Sequence, residues 1–106
     1  MLGTHKLLRI FIGGSDTYDG QPLFKAIVEL CLENKIAGAT VQRCMYGYGR
    51  SAVIHSSRTI ALSENLPLIV EVVDSEANLN KIIPEIKEML DGGLITMENI
   101  EVLEYK

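Results

Sequence analysis

Leu66 to Asp74 reads LPLIVEVVD, a nearly unbroken β-branched run that predicts a strand. Pro67 has no N–H to give to a ladder, which puts it at the first position of that strand. Thr59 to Ser63 can extend the strand backwards. Immediately downstream, Ser75 suits a helix N-cap. Leu79, Ile82, Ile83, Ile86, Met89 and Leu90 then repeat at spacings of three and four, the stripe of an amphipathic helix that closes before Gly92-Gly93. Pro84 lies inside that stripe and cannot donate to the carbonyl of Asn80, so a kink or a break is predicted there. Ile100 to Tyr105 reads as a final strand.

Upstream of the central strand, Lys6 to Ile12 alternates, with Leu8, Ile10 and Ile12 on one face and Leu7, Arg9 and Phe11 on the other. Gly13, Gly14, Ser15, Asp16 and Asp19-Gly20 supply turn chemistry, and Pro22 suits a first helical turn. Leu23, Ala26, Ile27, Leu30 and Cys31 form a second helical stripe, while Lys25, Glu29 and Glu33 face water. Gly38 is expected to close this turn, and Ala39 to Tyr46, including Cys44, to form the next strand. The order βαββαβ specifies an α+β, ferredoxin-like fold: an antiparallel sheet with two helices on one face. Leu7, Phe11, Ile69 and Val73 then point apolar side chains to the uncovered face. A homo-oligomer follows from that pattern.

The chain has 106 residues, 47% of them hydrophobic, which fits a single domain spanning residues 1–106. A net charge of −4 argues against nucleic acid, whose binders carry a basic stripe. No apolar run approaches the ~20 residues of a membrane span, so no direct membrane insertion is expected, and the N-terminus lacks a small-residue cleavage site. The expected location is the cytoplasm. Cys31 and Cys44 are too few and too far apart for a zinc knuckle, and His5 and His55 lie in no ligand-spaced motif, so no metal site is assigned. Catalysis has little support: His55, Ser56 and Ser57 are adjacent in sequence, without an orienting carboxylate.

Tyr46 to Arg58, YGYGRSAVIHSSR, is the segment that carries chemistry. Gly47 and Gly49 allow positive φ and close approach to the backbone, and Arg50 offers a planar fork suited to phosphate. Arg58 and, in the preceding strand, Arg43 are further candidates, with pairing to a carboxylate such as Glu71 as the competing role. His55 can hydrogen-bond a base or phosphate, and Tyr46 and Tyr48 can stack on adenine or serve as packing anchors. The candidate ligand-binding set is therefore Arg43, Gly47, Gly49, Arg50, His55 and Arg58.

The order IAGATV, GYGR, a histidine, LSENLP and a VEVVD strand, followed by a helix and Gly92-Gly93-Leu94-Ile95, resembles the PII-like signalling proteins over nearly the whole chain. Within them it is similar to a small family of bacterial and archaeal PII-like proteins. The resemblance implies a homotrimer with sheets packed toward the centre and adenine-nucleotide clefts between subunits. It also implies a signalling loop, here Tyr46 to Ser57, that docks on a membrane transporter or an enzyme. Nitrogen-regulatory PII proteins hold a triphosphate with basic residues after the second helix, whereas Asp91 to Glu104 here has none. Arg9, Arg43, Arg50 and Arg58 remain as cations, so AMP or ADP is favoured over ATP. The loop also offers no direct counterpart of the modified tyrosine of those proteins. Two rival readings are a metal-binding trimer resembling the copper-tolerance proteins and a small ferredoxin-like enzyme.

Overall fold

The computed structural model describes residues 1–49, 55–56 and 66–106. Its elements are β1 (Gly3–Gly13), β2 (Thr17–Tyr18), β3 (Gln21–Pro22), α1 (Leu23–Glu33), β4 (Ala39–Arg43), β5 (Tyr46–Gly47), β6 (His55–Ser56), β7 (Pro67–Asp74), α2 (Glu76–Met89) and β8 (Leu94–Val102). The main sheet has the order β4-β7-β1-β8, and every neighbouring pair is antiparallel. Strands β1 and β4 are thus parallel with β7 between them, joined through α1. Strands β7 and β8 stand in the same relation across β1, joined through α2. Two interlocked split βαβ units make the ferredoxin-like fold.

Period-two alternation fixes which side of the sheet is covered. Leu8, Ile10 and Ile12 of β1 and Leu68, Val70 and Val72 of β7 are buried, in register as Leu8↔Val72, Ile10↔Val70 and Ile12↔Leu68. Against them pack Leu23, Ile27, Leu30 and Cys31 of α1 and Leu79, Ile82 and Ile86 of α2. Each such side chain contributes about 1.5–3 kcal/mol on burial. Both helical stripes are those read from the sequence. Ser75 caps α2 as expected, its Oγ accepting the N–H of Asn78 at 3.1 Å.

Four expectations are corrected. The last strand begins at Leu94 and ends at Val102, not at Ile100 and Tyr105. Its early residues alternate Ile95 and Met97 inward with Thr96 and Glu98 outward, and the polar outward row lowers the local strand propensity. Of the kink or break expected at Pro84, the break is absent: α2 is continuous there, because Pro84 and Asn80 lie on its exposed side, where water reaches the carbonyl that loses its donor. Strand β4 stops at Arg43. The Cys44 N–H still donates to the Pro67 carbonyl at 2.8 Å, after which the chain departs and Tyr46–Gly47 pairs with His55–Ser56 in a separate ribbon.

The turn after α1 is closed by Lys35 rather than by Gly38. Lys35 has φ 57°, its N–H donates to the Leu32 carbonyl at 3.1 Å, and the Ile36 N–H donates to the Cys31 carbonyl at 3.0 Å. This is a Schellman arrangement with lysine in the left-handed position that glycine usually fills. The apolar Ile36 that follows is buried, which supports the turn.

Candidate functional cleft

Three chain reversals converge at one end of the sheet. The first follows β1: the Gly13 N–H donates to Asp16 Oδ2 at 2.9 Å, and the Leu23 N–H donates to the Asp16 carbonyl at 2.8 Å. This side-chain turn ties the loop to the start of α1. The second is the departure of the chain from β4, through Cys44 to Tyr48 and Gly49. The third follows α2, where Gly93 has φ +130° and turns the chain directly beneath β1. Between them lies a cleft of about 1120 Å³. Its walls include Phe11, Ile69, Leu94 and Met89, with Tyr48, Gly49, Gly92 and Gly93 at the reversals and Asp16 and Asp91 as its charged groups among the described residues.

Of the residues singled out from sequence, Gly49 lines this cleft, and Gly47 lies near enough that a Cβ added to it would come into ordinary contact with Pro67, a cleft residue. Neither glycine has positive φ, so they do not form the αL element of an anion nest. Gly47 is extended because it pairs with His55 in the β5/β6 ribbon, which brings the histidine backbone to the base of the loop. Arg43 lines a second, smaller cleft on the other side of the Ser15–Thr17 loop. Arg50 and Arg58 lie outside the described residues, as does the Thr59 to Ser63 extension. Gly13 to Asp16, which the sequence presents as turn chemistry, has the larger role of walling the cleft. The signal for that role is GGSD, a glycine pair followed by a side chain able to cap its own turn.

The open sheet face carries Leu7, Phe11, Ile69 and Val73 half-buried, and across its middle runs a polar row. Arg9 Nε donates to Glu71 Oε2 at 2.9 Å, its Nη1 donates to Glu98, and Gln42 Nε2 donates to Glu71 as well. The hydrogen bond that Arg9 donates to Glu71 is the chief stabiliser of its cation; partial desolvation opposes it, and the bond to Glu98 and the charge of Glu98 reinforce it. Arg9 is therefore not one of the cations available to a phosphate, since it is committed to two carboxylates away from the cleft.

At the opposite end of the sheet, Asp74 is buried, with 6% of its surface exposed. Burial alone would raise its pKa. The Asn78 side chain at 2.9 Å, the Ser75 N–H at 2.6 Å and the Ala37 N–H at 2.9 Å outweigh that, with help from His5, and hold it below the usual carboxylate range. Asp74 therefore closes the strand and supports the start of α2. Tyr105, beyond β8, donates its hydroxyl to the Ala37 carbonyl at 2.8 Å and draws the tail across the same end.

Among the described residues, no three His, Cys, Asp or Glu side chains converge as a metal site, and no helix is long and apolar enough to cross a membrane. The antiparallel β4-β7-β1-β8 sheet with two helices on one face is the ferredoxin-like fold in its PII-like form. Within that class, the chain belongs to the family described as DUF190, Uncharacterized ACR, COG1993, whose profile matches residues 5–102.

A UPF0166 protein of Aquifex aeolicus is 38% identical over 98 residues, 92% of each chain. Among solved structures, CPII, a nitrogen regulatory PII-like protein from Thiomonas intermedia K12 bound to ADP, AMP and bicarbonate, superposes with a TM-score of 0.74 at 13% identity, covering 96% of this chain and 91% of that one. A putative PII-like signaling protein from Thermus thermophilus gives 0.67 at 19% identity, covering 95% and 91%. The divalent ion tolerance protein CutA1 from Ehrlichia chaffeensis gives 0.58 at 18% identity, covering 100% and 87%. At these identities the solved structures bear on fold alone.

Proposed function

We propose that the chain is a PII-like regulatory protein, not an enzyme, which binds an adenine nucleotide in clefts between three copies of itself and signals through the loop that follows β4. The observation that carries this reading is the convergence of the β1–α1 turn, the signalling-loop base and Gly92-Gly93 on one cleft of about 1120 Å³. Its apolar walls suit a nucleoside, and Tyr48 suits stacking. A ligand seated there touches the base of the loop, so it can favour one loop state over another through differential affinity. The ADP and AMP bound by CPII support the ligand class.

The charge of the cleft supports AMP or ADP over ATP. Asp16 and Asp91 line it, and no Lys or Arg does so among the described residues. Phosphate contact then falls to the loop, with Arg50 as the first anchor, Arg58 and His55 as further contacts, and Gly47 and Gly49 giving backbone access. ATP, carrying roughly −4, meets more uncompensated repulsion than AMP. The half-buried apolar rows beside Arg9 support a homotrimer packed through its sheets. We place the protein in the cytoplasm, with a membrane transporter or an enzyme as its target.

Calorimetry with AMP, ADP, ATP and cyclic AMP tests this reading, together with mass determination in solution. Saturable binding in the order AMP or ADP before ATP is expected, along with a trimeric mass and weakened binding in Arg50→Ala. Absence of heat with every nucleotide, or a lone protomer at all concentrations, overturns it.

A further inference from the structure

We infer that Arg43 serves a second binding site, separate from the nucleotide cleft, which takes a small organic monocarboxylate with an apolar body. Arg43 is the last residue of β4, and alternation puts it on the same side of the strand as Val41 and Ala39, toward the helical layer. There it lines a cleft of about 500 Å³ whose floor is Phe24, Val41, Leu66 and Leu68, with the hydroxyls of Ser15 and Thr17 at its rim. Leu66 and Leu68 are buried, and Phe24 and Val41 pack against the main core, so the floor is a rigid apolar surface.

The composition of this cleft selects the ligand class. A volume in the range of small-molecule sites, an apolar floor and a few polar groups on one side suit an organic molecule better than a hydrated inorganic ion. Among the described residues Arg43 is the only cation lining the cleft, and its guanidinium fork matches the two oxygens of a carboxylate. One acidic group among them, Asp16, shares the rim, and its Oδ2 already accepts the Gly13 N–H. Asp16 offsets Arg43 in formal charge, so the guanidinium fork can hold one added carboxylate by paired hydrogen bonds, whereas each further negative charge meets Asp16 with no cation left to compensate it. Aliphatic or aromatic monocarboxylates fit this balance, whereas dicarboxylates and polyphosphates do not.

Ser15, Asp16, Thr17 and Leu68 line both clefts, so this loop and the start of β7 form a shared wall. Occupation of the smaller cleft therefore bears on the geometry of the larger one. A coupling between two ligands is reciprocal, each changing the affinity of the other by the same factor.

The test is a titration of the full-length protein with hexanoate and benzoate, followed by amide chemical shifts, with succinate as the dianionic control and AMP titrated in parallel. Saturable shifts are expected at Phe24, Val41, Arg43 and Leu66, which line the smaller cleft alone, and at the shared Ser15–Thr17 and Leu68, with none at Gly92–Leu94 of the larger cleft. Arg43→Ala should weaken hexanoate binding by about tenfold or more, with Arg43→Lys in between, and leave AMP affinity within about twofold. Because Arg43 is exposed, both variants should keep the parent circular dichroism spectrum and melting temperature. No shifts in those segments at high carboxylate, equal hexanoate binding by Arg43→Ala, or succinate bound as well as hexanoate overturns the inference. Loss of AMP binding in Arg43→Ala also overturns it, assigning the arginine to the nucleotide. Failure of AMP to bind the parent protein speaks only against the nucleotide reading, since the carboxylate titration is scored on its own.

Discussion

Gly93 passes so close beneath Phe11 that a Cβ built on it would stand 2.6 Å from the Phe11 carbonyl oxygen, at a φ of +130°. Both the steric contact and the backbone angle exclude any side chain. This contact lets β8 pair with β1 from its first residue, Leu94 opposite Phe11, and it shapes one wall of the cleft. Gly93→Ala is expected to cost about 2–3 kcal/mol, read from urea unfolding, and to lower nucleotide affinity. Gly92→Ala, where open space surrounds the Cα and φ is not positive, should change stability far less. Equal stability of the two variants would show that the close approach is not formed in solution.

Asp74 links the β7–α2 junction to the segment before β4. Asp74→Ala strands the Ala37 N–H and the Asn78 side chain, and should cost about 2–4 kcal/mol. Because its folded-state pKa is depressed, the unfolded chain takes up a proton at higher pH than the folded one does. Its contribution is thus full above the unfolded carboxylate value of about 3.9 and disappears as pH falls through the lower folded value. Denaturation midpoints between neutral pH and acid should show this slope in the parent and a smaller one in Asp74→Asn.

Arg9 neutralises two carboxylates in the middle of the open sheet face. Its removal leaves Glu71 and Glu98 facing each other without the intervening cation, on the surface proposed to meet other copies. Arg9→Ala should therefore shift the protein toward smaller assemblies, seen as a lower mass by light scattering at equal concentration. Combining Arg9→Ala with Glu71→Gln and Glu98→Gln should recover part of the assembly, because the unpaired charges are gone. An unchanged mass in Arg9→Ala would remove this face from the interface.

The two thiols should differ in reactivity. Burial pushes the Cys31 thiol up to about 11, so it stays protonated and shielded near neutral pH. Cys44 is half-buried and lines the larger cleft. A thiol reagent at pH 8 should modify Cys44 in the native protein and reach Cys31 only on unfolding, with mass spectrometry identifying the site. Saturating AMP should slow the modification of Cys44, which tests the placement of the nucleotide independently of calorimetry.

Much of the architecture is legible along the chain because helical and strand periodicities are local. The stripes Leu23 to Cys31 and Leu79 to Ile86 need no tertiary information, nor do the two faces of β1. The extent of β8 is not legible, because Thr96, Glu98 and Asn99 face solvent on an edge strand, where pairing with β1 supplies the order that propensity does not. Lys35 escapes a sequence reading as the αL residue because lysine is an uncommon occupant, accepted here on account of the buried Ile36 that follows. Of the candidate ligand residues, Gly49 lines the larger cleft. Arg43 groups with the loop by proximity in sequence, although alternation along β4 sends it to a different cleft.

By itself the sequence determined the βαββαβ order, the two-layer packing and the presence of an uncovered apolar face, since each depends on the spacing of residues a few positions apart. Only the tertiary structure decided that Gly13, Ser15–Thr17, Gly49 and Gly92-Gly93 share one cleft, that Arg9 belongs to Glu71 and Glu98, and that Arg43 lines a different, smaller cleft. Those relationships join residues far apart in the chain, and they exist only once β1 is inserted between β7 and β8. Strand pairing of that kind is set by the summed burial of both sheet faces and not by any local pattern.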